Sequence, residues 1–193
     1  MIPLLKKWIR AAYARDFSAP KTLLIGGVPG VGKSFDMKVM GRWVRWMNNQ
    51  NYKEPGYNPV RVLEVDSYLF GGFNLLDTFT RAARNDYDSD DFKDFKDDCD
   101  RLRWADLLFV DDVGGERNPP PSFEPGLRSL LNQRTDAGLF TCMTCNLTAA
   151  EIKERLGDRT FSRVMLGGAV VILTGKDRRK EMNSGEYSNW SQK

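Results

Sequence analysis

The sequence predicts an α/β fold in which a mostly parallel sheet lies between two layers of helices. Three observations lead to this prediction. Apolar stretches of strand length alternate with segments of helical periodicity along the 193 residues. Two stretches, 107–110 and 139–145, contain no charged residue and are largely apolar, as is typical of parallel strands that are buried on both faces. A glycine-rich turn joins the first strand to a helix, and two carboxylates follow a later strand.

The composition suits one globular domain and excludes several kinds of chemistry. Hydrophobic residues make up 41% of the chain and charged residues 28%. The absence of histidine excludes Ser-His-Asp triads and histidine metal ligands. No apolar run approaches the ~20 residues that span a membrane, and no signal peptide is recognisable, so we expect a cytoplasmic protein. Cys142 and Cys145 are interpreted as small buried strand residues rather than metal ligands.

We expect one domain over residues 1–183, in which residues 1–19 form an amino-terminal helix and linker. Residues 184–193 are a polar tail that we expect to be disordered. Within the domain the patterns predict five strands, at 22–26, 60–65, 105–111, 139–145 and 169–174. They predict helices at 1–16, 35–48, 73–83, 125–134 and 149–156, with a further acidic helix before the third strand.

Two features of this helix pattern concern aromatic residues and charge. Trp43 and Trp46 on the second helix are interpreted as core residues rather than as platforms for stacking on bases. The segment Asp86–Asp100 contains eight Asp and two Lys, so its local charge is −6 while the rest of the chain carries +9. A basic body is compatible with a nucleic-acid partner, but the acidic segment itself would repel phosphates.

The turn after the first strand has the spacing G-x-x-x-x-G-K-S, which is that of a phosphate-binding P-loop, or Walker A motif. Glycines allow successive backbone N–H groups to surround an anion, at the positive end of the helix that follows. Lys33 supplies a charge for the β- and γ-phosphates, and the Ser34 hydroxyl is a ligand for Mg²⁺. The pattern therefore predicts that ATP or ADP is bound by Gly27, Val28, Pro29, Gly30, Val31, Gly32, Lys33, Ser34 and Phe35.

The third strand ends in Asp111 and Asp112, as a Walker B strand does. Carboxyl ends of parallel strands share one sheet edge, where ligands bind in open α/β sheets. We predict that Asp111 holds the Mg²⁺ shell together with Ser34, and that Asp112 orients or deprotonates the attacking water.

These motifs and their order resemble AAA+ ATPases of the DnaC/DnaI-like replicative-helicase loaders and of the related IstB-like transposition helpers. The resemblance covers nearly the whole chain. It rests on TLLIGGVPGVGKS, on ADLLFVDDVG, on NQRTDAGLFTCMTCNLTAAEIKERLGDRTFSRV and on the terminal strand followed by GKDRRK. It implies a three-layer α/β/α P-loop NTPase fold of the AAA+ type, with a five-stranded sheet and a helical lid that is absent or reduced.

The resemblance also implies roles for residues outside the two Walker motifs. Asn146 corresponds to sensor 1, which contacts the γ-phosphate or the lytic water. Arg163 corresponds to an arginine finger that acts on ATP bound by a neighbouring subunit, with Arg159 as the adjacent candidate. Arg179 corresponds to sensor 2. The chain differs from the family in one catalytic position, since Asp112 stands where the usual residue is Glu.

What the resemblance implies for function is an ATP-hydrolysing switch in DNA replication. It would self-assemble when ATP is bound and load or remodel a replicative helicase, with single-stranded DNA as an effector. Three alternatives remain open from the residues: a transposition-helper ATPase, a nucleotide-gated binding module with little hydrolysis, and a small-molecule P-loop kinase. The short Asp112 side chain favours the binding module, whereas no arginine-rich lid typical of such kinases is recognisable.

Overall fold

The computed structural model describes residues 1–66, 75–84, 89–115, 118–165 and 168–177. At its centre is a sheet of five parallel strands in the order β2-β3-β4-β1-β5. The strands are β1 (Thr22–Gly27), β2 (Val62–Asp66), β3 (Leu107–Asp111), β4 (Phe140–Thr144) and β5 (Ala169–Leu173). The predicted parallel α/β sheet is thus confirmed, and all five carboxyl ends lie at one edge.

Helices cover both faces of this sheet. They are α1 (Pro3–Tyr13), α2 (Lys33–Asn51), α3 (Leu75–Arg84), α4 (Ser89–Trp104), α5 (Phe123–Asp136) and α6 (Ala149–Met165). Side chains alternate along each strand, so Leu23 and Ile25 pack in the core under α1 and α2. Leu24 packs in the second core, with α3 to α6. No helix within the described ranges has the length and apolar composition needed to cross a bilayer.

Helices α1 and α2 lie side by side in one layer. The Tyr13 hydroxyl at the end of α1 lies 2.9 Å from that of Tyr57, and its ring packs edge-on against Trp43 of α2. Trp46 is 55% exposed, so the prediction that it is a core residue is wrong. It follows Arg42 by one helical turn and shares the outward face of α2, whereas Trp43 is half-buried.

The range of α6 contains two helical stretches rather than one continuous helix. The first ends where the sequence predicts, at about residue 156, because Gly157 has a non-helical φ of 74° and ψ of 160°. A second stretch, which the sequence does not predict, continues to Met165. This second stretch packs on α5, where the buried Thr160 hydroxyl donates a hydrogen bond of 3.1 Å to Glu124 Oε1.

At the amino end of the sheet a fully buried arginine joins α5 to its neighbours. Arg134 Nη1 donates to the carbonyl oxygens of Leu102, Arg103 and Ala105, at the end of α4 and before β3. Nη2 and Nε donate to Phe140 O and Thr141 Oγ1 on β4. Burial lowers the pKa of Arg134 to about 9, against a raising effect of Asp106. The guanidinium fixes the end of α4 against β4.

The two cysteines of β4 and its end are buried, as predicted. Cys142 has no exposed surface and Cys145 only 2%. Burial raises the pKa of both thiols, and Cys142 is affected more strongly. Thiols that are buried and hard to ionise are unreactive, so these residues serve packing.

Candidate nucleotide-binding site

The predicted P-loop lies between β1 and α2 at the carboxyl edge of the sheet. Gly27 has a φ of 139°, and a Cβ there would collide with the Leu173 carbonyl oxygen of the adjacent strand. Gly32 has a φ of 109° and immediately precedes α2, which begins at Lys33. Both positions therefore require glycine, and the turn ends with the amino terminus of α2 directed at the loop.

Lys33 reaches back into this loop. Its Nζ donates hydrogen bonds of 2.8 Å to Gly27 O and 2.9 Å to Val28 O, and the residue is only 6% exposed. The ammonium group is thus held inside the turn by backbone carbonyls. A cation in this position supplies positive charge where the loop's amides converge.

A hydrogen-bonded group links the P-loop to two strands. Ser34 Oγ donates to Asp111 Oδ1 over 2.7 Å, from the first turn of α2 to the end of β3. The Thr144 hydroxyl, at the end of β4, donates to the same Asp111 oxygen over 2.5 Å. The two predicted Mg²⁺ residues, Ser34 and Asp111, are therefore brought together. A serine hydroxyl beside one carboxylate fits Mg²⁺, which takes hard oxygen ligands and commonly few from the protein itself.

Asp112 is oriented by its own contacts. Its backbone has a φ of 57°, in the left-handed region that Asp tolerates better than most residues. Its N–H donates to Thr144 Oγ1 over 2.8 Å, and its Oδ1 accepts a 2.5 Å hydrogen bond from Asn146 Nδ2. Asn146, predicted as sensor 1, is thus brought to the predicted catalytic carboxylate and fixes the orientation of that side chain.

Thr144 is a site residue that the sequence reasoning missed. It bonds to Asp111 and to the backbone of Asp112, so one hydroxyl sets the geometry of both predicted Walker B acids. The available signal was its position at the end of a buried strand, next to the sheet edge already assigned to Asp111. A threonine inside a β-rich stretch is otherwise typical of a strand former.

A second missed residue, Asp177, follows β5. Its carboxylate occupies the space that a side chain at Gly30 would fill, so it lies directly against the P-loop. Gly175 of the same segment approaches Val31. The chain after β5 therefore passes over the phosphate loop and brings a negative charge to it.

The predicted arginines are not assembled with this network in the described residues. Arg159 is exposed on α6 and lines a groove of about 390 Å³ together with Arg128, Asn132, Asp158 and Ser162. Arg163 lies in α6, but its side chain falls outside the described part of the chain, as does the whole of Arg179. Their predicted roles remain predictions.

The remaining side chains of the predicted nucleotide-binding loop differ from one another in solvent exposure. Val28 is 54% exposed and Phe35 is 62% exposed, whereas Val31 is buried. Pro29 and Gly30 lie on the turn between Val28 and Val31. Val31 thus packs the loop onto the domain, while Val28 and Phe35 leave apolar surface at its two ends.

Together the sheet order, the glycine turn and the Ser34–Asp111 contact define a parallel α/β fold of the P-loop type. No protein-family model matches the sequence, and no curated protein matches it. Solved structures do match. AMPPCP-bound DnaA from Aquifex aeolicus superposes with a TM-score of 0.60 at 19% identity, over 93% of this chain. DnaI gives 0.61 at 17% identity over 90% of this chain and 82% of its own.

The DnaC helicase loader also has this fold, with a TM-score of 0.53 and 18% identity over 86% of each chain. These comparisons confirm the predicted DnaC/DnaI-like AAA+ fold. The chain spans only 49% of the Aquifex DnaA chain. A further DnaA structure that matches contains AMPPCP and single-stranded DNA.

Proposed function

We propose that this chain is an ATP-binding and ATP-hydrolysing AAA+ switch in DNA replication. The observation that carries the proposal is the 2.7 Å hydrogen bond between Ser34 of the P-loop and Asp111 of β3. It joins the two motifs that, in P-loop enzymes, hold a nucleotide and its metal ion. The AMPPCP-bound DnaA neighbours support a nucleotide as the ligand.

In this proposal each residue of the site has a separate role. The P-loop amides and Lys33 bind the phosphates. Ser34 and Asp111 hold Mg²⁺, which when bound neutralises charge on the phosphates and orients them. Asp112, kept in place by Asn146, accepts the proton of the attacking water. Thr144 keeps both carboxylates in register with the loop.

The proposal extends to self-assembly and partners. Arg163, or the exposed Arg159 beside it, would contact ATP bound by an adjacent subunit, so that ATP promotes association and hydrolysis weakens it. A replicative helicase is the proposed protein partner and single-stranded DNA the proposed effector. The similarity to DnaI and to the DnaC helicase loader supports the first, and the DnaA structure with single-stranded DNA the second.

The observation that favours a second candidate is the 2.5 Å contact between Asn146 and Asp112. The contact occupies one carboxylate oxygen of Asp112, whose side chain is already shorter than the usual Glu. This arrangement suits a binding module that holds ATP and rarely cleaves it. The rates of phosphate release by the wild type and by Asp112→Ala distinguish the hydrolytic switch from the binding module. A drop of about a hundredfold or more supports the hydrolytic switch. Equal rates near zero support the binding module.

Self-association is tested separately by sedimentation with a non-hydrolysable ATP analogue. The proposal expects oligomers of the wild type that are lost in Arg163→Ala or Arg159→Ala. A protein that binds the analogue and stays monomeric at high concentration would contradict the trans-acting arginine. Transfer of the γ-phosphate to a small acceptor, rather than to water, would instead favour a kinase.

A further inference from the structure

The outward faces of α1 and α2 form a surface that the nucleotide site does not use. Six cations on these two helices are exposed: Lys6, Lys7, Arg10, Lys38, Arg42 and Arg45. The helices contain one acidic residue, Asp36, whose carboxylate lies 3.7 Å from the Met1 amino group. We call this surface the α1–α2 face.

Most of these cations are available for a partner. Arg45 pairs with Glu64 over 2.9 Å. Within the described part of the chain, Lys7, Lys38 and Arg42 form no ion pair with an acidic side chain, and each is exposed. Unpaired surface cations gathered on one side of a domain attract a polyanion, because their fields add over that side.

An exposed aromatic ring lies among these charges on α2. Lys38, Arg42, Arg45 and Trp46 follow one another at spacings of four, three and one residues, which places them on one helical face. Trp46 is 55% exposed although it is large and apolar. From Lys38 to Trp46 this face runs for about 12 Å. Cations beside an exposed ring suit a backbone of phosphates with unpaired bases that stack.

The helix α4, on the other side of the sheet, has a mixed surface. Its exposed Asp94 and Asp97 alternate with the exposed Lys93 and Lys96, and the two other acids whose side chains are described pair with arginines. Because α4 packs in the second core, this mixed surface and the α1–α2 face lie on opposite sides of the sheet. A phosphate backbone is therefore attracted more strongly to the α1–α2 face, whose two helices contain only one acidic residue.

A membrane surface fits the α1–α2 face less well. Amphipathic helices bind bilayers by burying a continuous apolar face. Here the apolar faces of both helices are already buried in the core, with Leu5 and Ile9 on α1 and Met40 and Val44 on α2. What remains exposed on the two helices is mostly charged, with Leu4, Phe35 and Trp46 as the large apolar exceptions.

We propose that the α1–α2 face binds single-stranded DNA, with Lys7, Lys38 and Arg42 contacting phosphates and Trp46 stacking on a base. The choice of DNA rests on the proposed function. Single-stranded rather than duplex DNA follows from Trp46, since the bases of a duplex are already stacked on one another.

The test is binding of a fluorescent oligo-dT of about twenty nucleotides, a length that covers one such face. The test variant is Lys7→Glu/Lys38→Glu/Arg42→Glu. Its matched control is Lys93→Glu/Lys96→Glu/Lys153→Glu, which changes the net charge equally on exposed residues of α4 and α6. The test variant should bind at least about tenfold more weakly and reduce the slope of log K against log salt by about 2, whereas the control keeps more affinity. Equal losses in both variants would overturn the proposal.

A second measurement does not depend on charge reversal. Quenching of tryptophan fluorescence by oligo-dT should be largely lost in Trp46→Phe and kept in Trp104→Phe, whose indole is equally exposed on α4. Trp46→Ala should weaken binding about tenfold. Unchanged quenching in Trp46→Phe would overturn the assignment, as would tighter binding of duplex DNA, of RNA or of poly-glutamate.

ATP affinity and thermal melting of the same variants separate this inference from the proposed function. Variants that keep ATP binding and melting but lose oligo-dT support the α1–α2 face. Oligo-dT binding that survives in every variant overturns the face and leaves the ATP switch intact. Normal oligo-dT binding by a protein with no affinity for ATP overturns the proposed function alone.

Discussion

Lys33 and Arg134 are both buried cations held by backbone carbonyls, yet they lie at opposite ends of the sheet and do different work. Arg134 has no exposed surface and donates to four carbonyl oxygens and a hydroxyl from three parts of the chain. Lys33 is 6% exposed and donates to two carbonyls of its own loop.

The two cations differ in whether their hydrogen-bond partners can be replaced by other groups. The partners of Arg134 are fixed by α4, β3 and β4, so losing it leaves buried acceptors with nothing to replace it. The partners of Lys33 belong to a glycine turn at the sheet edge, where the proposed function has a phosphate group replace them. Arg134 therefore maintains the fold, while we propose that Lys33 binds a ligand.

The largest expected effect is on stability. Replacing Arg134 with Met keeps much of the volume but removes every donor, and should cost about 3–5 kcal/mol of unfolding free energy. Urea unfolding followed by circular dichroism measures it. Arg128→Met on the same helix is the control, because its half-exposed pair with Glu124 is worth at most about 1 kcal/mol. Similar losses in both variants would contradict the role given to Arg134.

At the other end of the sheet, Asp111→Asn should reduce the Mg²⁺-dependent part of ATP affinity, and turnover, by about 10- to 100-fold. The amide keeps the shape of the side chain but removes its charge. Isothermal titration with and without Mg²⁺ measures the effect. Asp66→Asn provides a matched control, because Asp66 ends the adjacent strand in register with Asp111. The interpretation fails if both variants lose Mg²⁺ dependence alike.

Within the site, Thr144→Val tests the role of a single hydroxyl group. It removes the hydroxyl that bonds to Asp111 and Asp112, so we expect a loss of about 1–2 kcal/mol in stability. Turnover should fall more than the affinity for nucleotide, because both acids lose their orientation. Thr144→Ser keeps the hydroxyl and should restore most of the rate. A Ser variant as impaired as Val would show that the methyl group, not the hydroxyl, matters.

The smallest effect is expected from Asp177→Asn. Removing a negative charge that lies against Gly30 should tighten ATP binding about threefold, as expected for one partly screened charge near the phosphates. Fluorescent-nucleotide titration at low salt measures it, and the gain should shrink as salt rises. Weaker binding in Asp177→Asn would mean that the carboxylate supports the loop rather than opposing the ligand.

The parts of the fold and site that the sequence predicted are those set by local pattern. The G-x-x-x-x-G-K-S spacing located the loop, and a continuous apolar stretch before Asp111 identified its strand. Their proximity followed from the rule that parallel strands share a carboxyl edge.

What the sequence could not supply depends on contacts between distant segments. Arg134 lies in a polar stretch of α5 that is typical of a surface, and only packing against α4 and β4 buries it. Asp177 reaches Gly30 because the chain after β5 turns over the loop. The second helical stretch of α6, after the break at Gly157, packs against α5, which is a contact between distant segments. Trp46 is exposed whereas Trp43 packs against Tyr13 of α1, and only the position of α1 distinguishes the two.

The most direct test of the account is the ATP affinity of Lys33→Ala, measured beside Lys38→Ala from the exposed side of the same helix. The account predicts that Lys33→Ala binds ATP at least about tenfold more weakly, that Lys38→Ala binds it as the wild type does, and that both melt within a few degrees of the wild type. An unchanged ATP affinity in Lys33→Ala would contradict it.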